Sequence, residues 1–356
     1  MEKLNVLDLF CGCGGLSKGF EDAGFNVILG VDNDEAALNT FEKNHRNSIK
    51  LNADLSEANT FSVIEKLVDK KNIDVIVGGP PCQGFSLSGP RNFDDSRNKL
   101  YLAMIETVKR FSPKAFVIEN VPGMATLYGG EVKNEIIKRF TEMGYRVNST
   151  ILCAADYGVP QMRKRLVFVG IKGDEMFQFP PRDINEPENY ITCEEAICDL
   201  PSREKELGEE IDKYIMPPQN LYQKKMRNNS KLLINHVATN HTKMVKDVIA
   251  LVPEGGNYKN LPQGVGTSRK FNEAWTRYHS KKPSKTIDTG HRNHFHYKYN
   301  RVPTIRENAR LQSFPDDFVF YGTRTQQNRQ VGNAVPPLLG YAVARQVLKY
   351  LRKDNG

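Results

Sequence analysis

Two short segments of the chain hold residue types that could do covalent chemistry, and a third holds groups that could bind an anion. Cys82 lies in GGPPCQGFS (78–86), Glu119 in VIENV (117–121), and Arg163 and Arg165 in PQMRKRLVFVG (160–170). A cysteine is ordinarily a small buried hydrophobe, and it becomes a nucleophile only with a lowered pKa and some exposure. Here it follows the apolar run IDVIV, just past the C-terminal end of an expected strand, which is where open α/β sheets bind ligands. Pro80 and Pro81 fix two φ angles and withhold two hydrogen-bond donors, so the thiol is presented on a stiff turn. Glu119 ends a second apolar run. A carboxylate there is costly to bury unless paired or used, which makes it a candidate acid or hydrogen-bond partner; the plainer reading is a strand leaving into solvent. Gln161, Arg163 and Arg165 alternate, as residues on one face of a strand do, and either grip a phosphate or form a solvated edge.

These residues need a scaffold. Apolar runs at 5–10, 27–32, 73–79, 115–121 and 165–172 read as strands, and 14–25, 35–45 and 100–111 as helices between them. Strand alternating with helix predicts a mostly parallel sheet covered on both faces. The first strand breaks into glycines at 12, 14 and 15 and enters a helix, a turn that lets backbone approach a ligand, or is simply tight. As a dinucleotide fingerprint it fails, because the third glycine position is Ser17. Asp32 ends the next strand, where a carboxylate can take both ribose hydroxyls of a nucleoside cofactor. Asp54 is placed to meet an adenine amino group or the amino acid part of such a ligand. From 180 to 303 the pattern becomes irregular and proline-rich. The segments expected are therefore a cofactor-binding domain at 1–180, an inserted domain at 181–303, and a return at 304–356 that ends in a helix over 337–351.

The composition is that of an ordered globular chain: 356 residues, 39% hydrophobic and 26% charged, with a net charge of +8. Neither a secretory leader nor an 18-residue apolar stretch is visible, and six cysteines without a CxxC pair fit a reduced cytoplasm. The charge is uneven. Residues 213–310 carry 19 Lys and Arg against 5 Asp and Glu, together with six of the seven histidines. Such a block suits a polyanion, because each phosphate neutralised releases counterions, although a solvated lysine-rich face would look the same. His291, His294 and His296 could mimic metal ligands, but no cysteine or carboxylate cluster joins them, and no metal is expected.

Taken in order, DLFCGCGG, GVDND, NADLS, GGPPCQGFS, DSRNKL, ENV, QMRKR, RENARLQSFPDDF and GNAVPP resemble the motif series of the cytosine-5 DNA methyltransferase family. The resemblance covers residues 1 to about 172 and about 304 to 350, with a variable region between them, as the family has for target recognition. It implies a Rossmann-like, doubly wound α/β catalytic domain of the S-adenosylmethionine-dependent kind, discontinuous in sequence, with a smaller irregular recognition domain. Cytosine C5 is too weak a nucleophile to take a methyl group unaided. By the resemblance Cys82 adds to C6, Glu119 hydrogen-bonds N3 and the exocyclic amine, and Arg163 and Arg165 hold the base and nucleotide. Phe10, Gly12, Cys13, Gly14, Asp32, Asn33, Asp54, Leu100 and Asn333 fall on the family's positions for S-adenosylmethionine. Ser86, Ser88, Gln161 and Thr286 fall on positions near DNA, with residues 83–98 as a closing loop over a base flipped from the duplex.

The implied protein is a monomeric modification enzyme of a restriction-modification system, acting on double-stranded DNA in the bacterial cytoplasm. It needs no membrane, and no cognate endonuclease for activity. One rival is a tRNA methyltransferase of the same fold. This chain retains a full-sized variable region and lacks the Cys-Phe-Thr tripeptide of that lineage. Another rival, a catalytically silent DNA-binding protein, is disfavoured by the intact Cys82, Glu119 and glycine turn.

Overall fold

A computed structural model describes residues 2–68, 72–81, 99–228, 230–266, 274–290 and 293–353. Along the first half run β1 (Asn5–Leu9), α1 (Gly15–Asp22), β2 (Asn26–Asp32), α2 (Glu35–Asn44), β3 (Ile49–Asn52), α3 (Ala58–Val68), β4 (Val75–Gly78), α4 (Lys99–Phe111), β5 (Ala115–Asn120), α5 (Glu131–Glu142), β6 (Tyr145–Cys153), β7 (Gln161–Met162) and β8 (Lys164–Lys172). There follow α6 (Cys193–Ile197), β9 (Ile211–Asp212), α7 (Leu221–Arg227), β10 (Leu233–Ile234), α8 (Lys243–Leu251), β11 (Thr276–Arg277), β12 (Ser284–Lys285), β13 (His294–Phe295), α9 (Ile305–Leu311), α10 (Arg324–Asn333) and α11 (Pro337–Lys353).

Two compact units divide these elements, one of residues 1–153, 164–181 and 337–356 and the other of 154–163 and 182–336. The first unit is built on a seven-stranded sheet in the order β3-β2-β1-β4-β5-β8-β6. The pairs from β3 to β5 are parallel, and β8 runs antiparallel to both β5 and β6. Nearly every residue of β1, β2, β4 and β5 is buried, which is why these strands read as unbroken apolar runs: helices cover both faces. Order reverses between β1 and β4, so the chain leaves these neighbours in opposite directions and opens a crevice at their C-terminal ends. The glycine turn and the Gly79–Pro81 segment both start there. α11 packs on α1 at Gly19, where an added Cβ would lie 2.5 Å from the Tyr341 nitrogen.

The second unit is held by buried polar side chains as much as by apolar ones. Its sheets are the two-stranded pairs β7–β12, β9–β10 and β11–β13. A small core gathers Ile249, Val252, Trp275, Phe295 and Val302. The return to the first unit comes at Pro337 and not at 304. The reason lies in α9, where Arg306, Glu307 and Arg310 are buried and bonded to Ile234 O, Arg301 and Asp199. Those partners all belong to the second unit, and they tie 304–336 to it.

Candidate active site

The glycine turn departs sharply from ordinary backbone. Phe10, Gly12 and Gly14 all have positive φ, at 58, 53 and 92°. Glycine tolerates this region, but an aromatic residue there is strained and persists only where its surroundings insist. Those surroundings are hydrogen bonds. Gly12 N donates to Asp32 Oδ2 at 2.8 Å, Cys11 N to Val31 O at 3.1 Å and Gly14 N to Cys11 O at 2.9 Å. The other Asp32 oxygen accepts Asp34 N at 2.9 Å, so one half-buried carboxylate fastens the turn after β1 to the end of β2. Burial raises the Asp32 pKa, and these backbone donors counter it. Cys11 and Cys13 are both buried thiols. Burial raises both, Cys13 to about 12, which makes them inert as nucleophiles. Around the turn, Asn33 and Asp54 are exposed and Leu100 is half-buried on α4. Asp54 also accepts Ser56 N at 2.8 Å, shaping the turn into α3.

The ends of β4 and β5 form the second part. Glu119 is not a strand residue lost to solvent. It pairs with Arg165, Nε to Oε1 at 2.5 Å, and the two side chains are 13% and 12% exposed. Antiparallel pairing of β5 with β8 brings them together across the sheet. Gly79 passes directly over this carboxylate, and a Cβ built on it would stand 3.2 Å from Glu119 Oε2. Asn120 clamps the next residue, donating from Nδ2 to Pro80 O at 2.8 Å, while its Oδ1 accepts Val121 N at 2.8 Å. Pro80 is buried and Pro81 exposed, so the backbone runs outward from the one to the other. Cys82, Ser86, Ser88 and the rest of the expected loop at 83–98 lie outside the described residues.

The remaining expected residues belong to the second unit. Gln161 is fully buried: Nε2 donates to Gln312 Oε1 at 2.6 Å and Leu311 O at 3.3 Å, and Oε1 accepts Ile287 N at 3.3 Å. Its amide is bonded inside the protein, where it links β7 to Ile287 and to Leu311 and Gln312. Arg163, 1% exposed, donates from Nη2 to Gly332 O at 2.9 Å. The alternation of 161, 163 and 165 does not mark one strand face, because β7 and β8 are separate strands with Arg163 between them. Thr286 is exposed, its hydroxyl donating to Met162 O at 3.1 Å, and Asn333 is exposed at the end of α10. His294 and His296 are buried and His291 is outside the described residues. Among the described residues no three His, Cys, Asp or Glu side chains are grouped to hold a metal ion.

Asp8 and His45 also border the glycine turn. In the sequence Asp8 had a signal, a carboxylate inside an apolar run. His45 had none.

A doubly wound sheet with a strained glycine turn at its switch point and carboxylates at the ends of the flanking strands β2 and β5 is a Rossmann-like methyltransferase fold. The family model described as C-5 cytosine-specific DNA methylase matches residues 4–349, and the chain belongs to that family. It is 39% identical to the type II methyltransferase M.DdeI of Desulfomicrobium norvegicum, over 99% of this chain and 90% of that protein. It is also 39% identical to the type II methyltransferase M1.HphI of Haemophilus parahaemolyticus, over 97% and 87%. Among solved structures, a prophage-encoded E. coli protein described as a candidate DNA modification methyltransferase superposes with a TM-score of 0.80 at 29% identity, covering 98% of this chain and all of that one. The Dnmt2 methyltransferase of S. pombe shares the fold, with a TM-score of 0.61 at 15% identity over 99% of this chain and all of that one. The family and the α/β fold expected from the motif series are thus both found.

Proposed function

We propose that the chain is a sequence-specific DNA (cytosine-5-)-methyltransferase that takes its methyl group from S-adenosylmethionine, as the modification enzyme of a type II restriction-modification system. The observation that carries this is the Glu119–Arg165 pair beneath the clamped Gly79–Pro81 turn. It puts a held carboxylate beside the backbone that leads straight into Cys82. Cys82 adds as thiolate to C6 of cytosine, which makes C5 enamine-like and nucleophilic. Glu119 hydrogen-bonds N3 and the exocyclic amine, where charge shifts as the thiolate adds, and Arg165 keeps that carboxylate oriented. Arg163 and Arg165 hold the base and nucleotide. Once C5 is methylated, its proton is lost and Cys82 is eliminated, leaving 5-methylcytosine.

The glycine turn fits a nucleoside cofactor. It offers an aromatic side chain in Phe10, backbone at Gly12, Cys13 and Gly14, carboxylates at Asp32 and Asp54, and Asn33 and Leu100 as further contacts; by the family's motif pattern Asn333 is a cofactor residue as well. S-adenosylmethionine supplies an electrophilic methyl on sulfur. A base within a duplex hides C6, so the target is flipped out, with Ser86, Ser88 and Thr286 near the DNA and the basic region 183–303 reading sequence. The enzyme works as a monomer in the bacterial cytoplasm, with no endonuclease required for its activity. No helix among the described residues is long and apolar enough to cross a membrane.

Tritiated methyl transfer from S-adenosylmethionine tests the proposal. Label is expected in duplex DNA and not in tRNA, with Cys82→Ala reduced to background, and bisulfite sequencing of DNA from an expressing host would then give the target. Label in tRNA alone refutes the substrate, and equal activity of Cys82→Ala refutes the nucleophile.

A further inference from the structure

The glycine turn rests on a buried histidine that the reaction described above does not use. His45 closes α2 as its C-terminal cap, is 1% exposed, and lies against Phe41 with ring centroids 4.5 Å apart. Its Nδ1 is 2.9 Å from Glu21 Oε2, a carboxylate on the last turn of α1 that is 28% exposed. Its other edge lies under Gly14, the residue that caps the start of α1. A Cβ built on Gly14 would stand 2.1 Å from His45 Nε2, 2.6 Å from Cδ2, and 2.9 Å from Phe41 Cδ2. One imidazole therefore touches both ends of the same short helix.

A leucine would fill this space without the cost of burying a polar ring. What the imidazole adds is a rigid planar edge, with Nδ1 in contact with the Glu21 carboxylate. Pinned to the end of α2, that ring limits how α1 slides along its axis. The position of α1 in turn sets the height of the turn that hands Gly12 N to Asp32. We propose that His45, in contact with Glu21, is a positioning residue for cofactor binding: it holds the glycine turn at residues 10–14 in register with Asp32. It thus acts on affinity for the cofactor and not on methyl transfer itself. The inference rests on the S-adenosylmethionine reading above.

Calorimetric binding of S-adenosylhomocysteine, initial-rate kinetics and thermal melting of the full chain test it together. His45→Ala is expected to raise the Kd for S-adenosylhomocysteine and the KM for S-adenosylmethionine on the order of tenfold, with kcat at saturating cofactor unchanged. His45→Asn separates support of the turn from support of the fold. Its amide nitrogen can take the place of Nδ1 and keep the approach to Glu21, but nothing replaces the Nε2 edge. It is expected to regain most of the melting temperature and little of the affinity. Glu21→Gln should shift affinity in the same direction by less. Affinity that is unchanged in both His45 variants, or that falls only in step with melting temperature, overturns the inference. Wild-type protein that binds no S-adenosylhomocysteine overturns the cofactor reading instead, and the inference with it.

Discussion

Asp8 shows how much a single buried group can bias this chain. It is 1% exposed, accepts the Ser17 hydroxyl at 2.5 Å, and has its carboxyl pushed up from 3.8 to about 7, mainly by burial. The Ser17 bond opposes that rise, and the charge of Asp32 adds to it. Between about pH 4 and about pH 7 the folded chain therefore holds a proton that the unfolded chain gives up. Stability from this group is complete below about pH 4 and is lost as pH rises towards 7, a change of ~4 kcal/mol. Asp8→Asn stays neutral and can still accept from Ser17. Its melting temperature should exceed the wild-type value by a margin that widens from acid to mildly alkaline pH, and parallel melting curves would refute the assignment. At this scale the sequence was a partial guide. It placed Glu119 at a strand end, but the partner Arg165 comes from antiparallel β5–β8 pairing, and a local apolar run cannot reveal the direction of a distant neighbour. The alternation of 161, 163 and 165 is likewise only a local signal. It does not show that the chain turns at Arg163, whose carbonyl accepts Ala154 N.

Among the elements, α9 departs furthest from an amphipathic helix. Thr304 and Glu307 make a capping box at its start, a pattern legible in the sequence, yet its charged residues point inward. Arg310 is fully buried and meets Asp316 through two bonds, Nε to Oδ1 at 2.9 Å and Nη2 to Oδ2 at 2.7 Å, while Nη1 reaches Asp199 at 2.5 Å. Removing one partner strands part of a buried guanidinium. Asp316→Ala is expected to cost ~3–5 kcal/mol in urea unfolding, and a loss within error of zero would show the network to be dispensable. Strands buried on both faces announced themselves by apolar runs. β6 did not, because it is a sheet edge with only Tyr145, Val147 and Leu152 buried, so YRVNSTILC reads as polar as a loop. α5 passed unread for a related reason: among its interspersed charges only Val132, Ile136 and Phe140 are buried.

Across the whole molecule the two units should respond to acid in opposite senses. In the second unit burial holds His236 down to about 4 and His296 to about 3, and Arg301 holds the buried Glu307 below the usual carboxylate range. Each of these groups takes up protons more readily when unfolded, so this unit loses stability as pH falls below about 6.5. Asp8 in the first unit gains it. Hydrogen exchange at pH 7 and pH 5, corrected for intrinsic rates, should show protection falling in peptides from 294–311 while those of β1 and β4 hold. A uniform change across both units would be inconsistent with this reading. The allegiance of α9 and α10 is not legible locally: they look like any helices, and it is set by buried partners more than 70 residues away, such as Ile234 O for Arg306.

The bare backbone of Gly19 against α11 also bears on how the molecule is born. α1, which carries the glycine turn, is made early, yet the helix that covers it leaves the ribosome roughly 300 residues later, on the order of half a minute at ordinary elongation rates. During that wait the underside of α1 is open to whatever binds nascent chains. Substitution at Gly19 by any side chain should therefore show itself first as a defect in yield from living cells, before it shows as a defect in the activity of the protein that survives.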